Sequence, residues 1–327
     1  MGALTIHEHL APNNDGWLLR LRQVYRPDKL NIALRPVMIV PGYGMNSFIF
    51  SFHPRGTSME ACLAAEGFEV WSVDLRAQGD SRPVAGRRKV PAPSMRGYAD
   101  VDLTAAIHAA LTRTRSRATQ MDLIGCSLGG TISYAHVALR PDHRVSSIIS
   151  VGSPLRWLTV PSIFKAAFFS PKLVGMIPVR GSRFMLSRLF PVLGKVPGAL
   201  DIYLNAAHVD IAAAHELTRT VEDPHPGVNR ELAEWINATD LSVGGVNITQ
   251  ALKQVDIPLL VMISNRDGIV PSDAALSAMG AWGGNDVSTC TVGDDSEWFA
   301  HADLFIANSA PEKVFAPIAE WLHARQS

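Results

Sequence analysis

Cysteine is scarce in this chain, its charges cancel, and it has no long apolar run. The three cysteines, Cys62, Cys126 and Cys290, are odd in number and far apart. A disulfide framework is therefore not expected, and a reducing, cytoplasmic setting is. Thirty Lys and Arg offset thirty Asp and Glu, so no overall field draws the chain to nucleic acid. The most apolar region, residues 157–179, is cut by Lys165, Lys172, Pro161, Pro171 and Pro178. Spanning a bilayer takes ~20 mostly apolar residues, so no transmembrane segment is expected. The opening MGALTIHEHLAPNNDG lacks a basic start leading into an apolar stretch, so no secretory signal is expected either. No Walker motif, dinucleotide fingerprint or zinc pattern occurs, and no cofactor or metal is expected. His7 and His9 form a His-x-His pair without further ligands, which reads as an ordinary strand feature.

What the chain does have is core. Of its 327 residues, 47% are hydrophobic and 18% charged, enough for one large domain carrying an insertion or for two ordinary domains. Short apolar runs alternate with helical patterns, which predicts a mostly parallel sheet flanked by helices. The predicted strands are 17–25, 37–40, 69–75, 121–125, 145–151, 257–264 and 287–292. The predicted helices cover about 98–114, 128–139 and 312–324, the first ending in the basic RTRSR that suits a helix C-terminus. Between about residues 154 and 246 the alternation stops. An interval of that length is too long for an ordinary connection and reads as a helical cap, with 1–153 and 247–327 as the core.

GCSLG at 125–129 matches G-x-S-x-G between an apolar strand and a helix. The chemistry explains the spacing. A serine on a sharp strand-to-helix turn projects its hydroxyl, and small residues on either side let neighbouring backbone come close. An ordinary strand–helix turn is the competing reading, and the context on both sides favours a nucleophile at Ser127. Cys126 has the wrong offset and reads as a small buried side chain. The break at PGYG after strand 37–40 would place the Tyr43 amide beside that of Leu128, two backbone donors for an oxyanion. Asp267 follows strand 257–264, where open sheets place their sites. His301 follows the last strand. The order Ser127, Asp267, His301 makes a triad in which His301 takes the serine proton and Asp267 orients it. Asp294, Asp295 and Asp303 compete for the acid role. The first two read as solvated loop charges and Asp303 as a local helix cap. His108 reads as structural and His323 as a surface residue.

These segments together resemble the α/β-hydrolase superfamily along most of the chain. DGWLLRLRQVY, PGYGMNSFIF and HADLF look like the acid-lipase and polyhydroxyalkanoate synthase/depolymerase side of it. The resemblance implies an acyl-enzyme hydrolase. Ser127 stands where those synthases carry cysteine and where dehalogenases and epoxide hydrolases carry aspartate, so ester hydrolysis is expected. A thioesterase or acyltransferase on the same triad is the alternative, and a non-catalytic binding protein is a third reading. Residues 154–200 hold seven basic and no acidic residues: Arg156, Lys165, Lys172, Arg180, Arg183, Arg188 and Lys195. Aromatic and Met side chains interleave with them. Trp157, Phe164, Phe168 and Met176 are the candidate lining of an acyl pocket for a small or lipid-like ester. Contact of this cap with a lipid surface, or with an anionic leaving group, is a further reading of the same pattern.

Overall fold

A computed structural model of the chain describes residues 2–86, 89–193, 196 and 198–326. Lys195 lies outside them. Eight strands carry the architecture: β1 (Thr5–Pro12), β2 (Trp17–Tyr25), β3 (Val37–Val40), β4 (Val70–Asp74), β5 (Met121–Cys126), β6 (Val145–Val151), β7 (Leu259–Ser264) and β8 (Val287–Val292). Their order across the sheet is β1-β2-β4-β3-β5-β6-β7-β8, with a two-residue rung, Arg82–Pro83, also pairing with β2. β1–β2 and β2–β4 run antiparallel, and every pair from β4 to β8 runs parallel.

The strand sequences explain this layout. β3, β4, β5 and β7 are buried throughout, as strands with helices on both faces must be. β8 closes the parallel side with alternating exposure, and β1 lies largely open on the other edge. Alternate residues feed two apolar clusters, one on each side of the sheet. Met38, Val40, Leu123, Ile148, Leu259 and Val261 join one, and Val37, Ile39, Ile124, Ile149, Leu260 and Met262 join the other. The helix Leu128–Leu139 directly follows β5. The predicted helix at 98–114 begins as a π-helical turn, Gly97–Asp102, before its regular part Leu103–Arg113, and the closing helix likewise begins with Pro311–Phe315 before Ala316–His323.

From residue 152 to 258 the chain leaves the sheet. The helices Ser162–Ala167 and Pro171–Val174 bury no residue, whereas Pro226–Ala238 buries Val228, Leu232, Trp235 and Ile236 in the same cluster as the sheet. The stretch is thus unequal: its later part is core and its earlier part is surface.

One buried ion pair ties the front of the sheet together. Arg76 follows β4 and is 1% exposed, and its guanidinium meets Asp102, fully buried, at 2.8 Å. Asp15 takes another of its N–H groups at 2.7 Å and the Gly97 carbonyl a third. Removing one partner of such a pair leaves an uncompensated charge, which costs about 3–5 kcal/mol. Asp102→Ala should therefore lower unfolding stability by about that amount in a urea titration, and a change below about 1 kcal/mol would contradict this role.

Candidate active site

Ser127 occupies the turn between β5 and the helix Leu128–Leu139 with φ 52° and ψ −124°. A β-carbon resists positive φ, so the surroundings must hold the residue there. They do so by close packing that only glycine permits. A Cβ on Gly125 would lie 2.3 Å from Gly130 Cα, one on Gly129 would lie 2.2 Å from the Val40 carbonyl oxygen, and one on Gly130 would lie 2.1 Å from Ser153 Oγ. The Ser127 amide donates to the Val151 carbonyl at 2.8 Å, which extends the β5–β6 ladder to the turn. The side chain is partly exposed. Cys126, by contrast, is fully buried, and burial pushes its thiol well above the ordinary range, so it is no nucleophile.

The loop after β3 crosses in front of this turn. A Cβ on Gly42 would lie 3.0 Å from the Ser127 Cβ, so residue 42 must be small for the loop to sit there. Among the described residues, the amides of Tyr43 and Leu128 are engaged in no loop or capping hydrogen bond. Tyr43 itself is held by its hydroxyl, which donates to Asn229 Oδ1 at 2.6 Å, and burial raises its pKa. Asn229 lies on the helix Pro226–Ala238. It is a support the sequence reading missed, since a lone Asn gives no periodic signal.

Asp267 and His301 meet. His301 Nδ1 and Asp267 Oδ2 are 2.6 Å apart, with the side chains 8% and 3% exposed. The other carboxylate oxygen, Oδ1, accepts the amides of Ile269 and Val270, each at 2.8 Å. An ionised carboxylate only accepts, so Nδ1 carries the proton and Nε2 is left with a lone pair. The imidazole packs against β6's end: a Cβ on Gly152, whose φ is +58°, would lie 3.1 Å from His301 Cε1. Ser127 thus bonds to Val151 and His301 packs against the next residue, Gly152.

The rival acids are placed elsewhere. Asp294 closes its own turn, accepting from the Ser296 and Glu297 amides, and the Ser296 hydroxyl bond holds its carboxyl below the usual range. Asp295 is exposed. Asp303 corrects the expectation of a helix cap. The helix Asp303–Ile306 has no side-chain cap bond, and the fully buried carboxylate instead accepts the amides of Ala300 at 2.7 Å and Asn205 at 2.9 Å. It thereby ties the outlying segment at 203–205 to the loop that carries His301. Tyr203 follows suit: its carbonyl accepts the Ala302 amide at 2.8 Å, and its ring centre lies 6.4 Å from that of His301. His323 is exposed, and so is His108, which makes its structural reading a correction.

A hollow of about 70 Å³ opens at Ser127, lined by Tyr43, Leu128, Trp157, Phe164, Phe168, Leu232, Trp235, Ile236, Ile269 and Val270 among others. Three of the four expected lining residues are there. Met176 is not: it is 75% exposed, because it lies in the loop after Pro171–Val174. Leu232, Trp235 and Ile236 went unnoticed, although their i, i+3, i+4 spacing is the mark of a buried helix face. A larger hollow of about 540 Å³ lies between the end of β1 and the helix Leu103–Arg113 and touches none of Ser127, Asp267 or His301.

The sequence profile for the alpha/beta hydrolase fold matches residues 35–172. The esterase RhEst1 from Rhodococcus sp. ECU1013 superposes with a TM-score of 0.62 at 19% identity, covering 98% of this chain and 99% of its own. A thermophilic esterase from Thermogutta terrifontis gives 0.61 at 18% identity over 99% of this chain and 100% of its own. A bromoperoxidase from Bacillus anthracis gives 0.59 at 13% identity over 97% and 100%. No curated sequence relative matches. The chain adopts the α/β-hydrolase fold, and at these identities the solved structures define the fold alone.

Asp303 offers a test of the site's electrostatics. Burial, reinforced by the nearby Asp267, pushes its pKa up to about 7 against the two amide bonds. The folded protein thus binds this proton more tightly than the unfolded chain. Its contribution to stability is greatest below the unfolded carboxyl value near 4 and is lost as pH rises toward about 7. Asp303→Asn keeps an acceptor oxygen without the charge and should flatten the fall in urea midpoint between about pH 4.5 and pH 7.5. An unchanged slope would show that Asp303 is not the titrating group.

Proposed function

We propose that this protein is a serine hydrolase that cleaves a carboxylic ester with a short apolar acyl group. One observation carries the reading. Ser127 is held at positive φ beside two unengaged amides, at the mouth of an apolar hollow, while an Asp267–His301 pair packs against the adjoining strand end. The esterases among the structural neighbours support the class of reaction.

In the proposed cycle His301 Nε2 takes the proton from Ser127 Oγ as that oxygen attacks the acyl carbonyl. The carbonyl oxygen becomes an oxyanion and is received by the Tyr43 and Leu128 amides. His301 then passes the proton to the departing alkoxide, which leaves as an alcohol. Water, deprotonated by the same imidazole, attacks the acyl-serine and releases the acid, returning the proton to Ser127. Asp267 keeps the imidazole in the productive tautomer and balances its positive charge while it is protonated. Among the described residues no Lys or Arg lines the hollow, so the space suits an acyl chain better than a phosphate-bearing group. Its 70 Å³ falls well short of the roughly 300–1,000 Å³ of sites for larger ligands.

The test is a panel of esters and thioesters of graded acyl length. Short-chain esters should be turned over fastest, and Ser127→Ala should abolish turnover with the fold intact. Asp267→Asn should lower kcat by about 10⁴, whereas Asp294→Asn should leave it unchanged. Phe168→Ala should shift the preference toward longer acyl groups. Full turnover by Ser127→Ala would refute the assignment, and thioester preference would move the protein to the thioesterase or acyltransferase alternative.

A further inference from the structure

Among the described residues, fourteen of the nineteen exposed large hydrophobic side chains fall between residues 158 and 203. Single exposed apolar residues are ordinary, but such concentration marks an interaction surface. The helix Ser182–Leu193 shows it most clearly. At 100° per residue, Phe184, Met185, Arg188, Leu189 and Val192 share one face, and all are exposed. Leu186, Phe190 and Leu193 take the opposite face and are half-buried or buried. A helix that is apolar toward its own protein and apolar outward needs a second apolar partner. Ile163 and Phe169 of the same segment are also exposed, at 57% and 65%, and are next in sequence to Phe164 and Phe168 of the hollow's lining.

Charge says what the partner is. Residues 158–203 carry six basic residues and one acidic residue, Asp201, so the rest of this electroneutral chain is net acidic by five charges. Arg183 and Arg156 are paired with Glu222 and Asp240. Lys165, Lys172 and Arg180 are exposed and have no acidic partner among the described residues. A second copy would set this basic surface against itself, since a two-fold interface opposes like with like. A layer with anions outside and hydrocarbon beneath satisfies both halves: phosphates meet the basic side chains while Phe, Met and Leu enter the acyl boundary.

We propose that residues 158–203 form a docking surface for an anionic lipid bilayer. The acidic remainder is repelled from that surface, which orients the molecule with this segment down and the hollow at Ser127 close to the lipid. The proposal does not rest on the hydrolytic reading of the site.

Co-sedimentation with sucrose-loaded vesicles tests it. Phosphatidylcholine vesicles containing about 30% phosphatidylglycerol should bind the protein at low salt and release it at high salt. Pure phosphatidylcholine should bind it weakly. Lys165→Gln, Lys172→Gln and Arg180→Gln together should weaken binding to the anionic vesicles by about 100-fold, at about 1 kcal/mol per charge. Phe184→Ser with Met185→Ser should also weaken it, with an unchanged circular dichroism spectrum showing that each variant is folded. Ser127→Ala should bind as the native protein does, so failed hydrolysis and failed docking are told apart. No binding by folded protein, or equal binding by the triple variant, would overturn the proposal. So would a dimer in light scattering that Phe184→Ser and Met185→Ser dissociate, because a second copy would then cover the face.

Discussion

The site depends on one steric arrangement, the crossing of β5 and the helix Leu128–Leu139 at van der Waals distance. Gly125 lies against Gly130, Gly129 against the Val40 carbonyl and Gly130 against Ser153. That contact leaves the connecting residue no ordinary conformation, and Ser127 is held at φ 52°. Strain of this kind is of order 1–3 kcal/mol and persists only where the surroundings impose it. It is affordable here because β5, which leads into the turn, is buried throughout and hydrogen-bonded on both edges.

The remaining groups come to this turn on loops that the sheet also positions. β3 brings the loop at Gly42, β7 brings Asp267, and the segment after β8 brings His301. Each loop is tied by its own local bonds. Asp267 is fixed by two amides and one imidazole, Tyr43 by Asn229, and the His301 loop by Asp303 and the Tyr203 carbonyl. Two of these supports come from the excursion between β6 and β7. The excursion therefore does more than cover the site: it sets the position of two of the site's loops.

Much of this was legible in the residues. Apolar runs marked the buried strands because parallel strands hidden on both faces have no polar alternation to obscure them. The strand-to-helix turn at Ser127 was legible because its glycines follow from close approach. Asp267 and His301 could be selected by their places after successive strands, and they do share a 2.6 Å contact. Other features were not legible. The buried Arg76–Asp102 pair joins residues from separate elements, and nothing local announces it. Asp303 looked like a capping residue because its neighbours are loop-like, yet burial made it a tie between distant segments. Met176 looked like lining because composition shows that a side chain is apolar but not which way it faces.

The excursion also carries an apolar stretch with a net basic charge, residues 158–203, while the rest of the chain is net acidic. Such a surface would set where the protein works, while the turn at Ser127, on the proposed reading, would set what it does. The central claim is that Ser127 is a nucleophile activated by His301. It is tested most directly by treating the folded protein with a fluorophosphonate and mapping the adduct by peptide mass spectrometry. The account predicts one modified residue, Ser127, with labelling lost on unfolding and slowed by orders of magnitude in His301→Ala. An unlabelled Ser127 in folded protein, or labelling indifferent to the loss of His301, would contradict it.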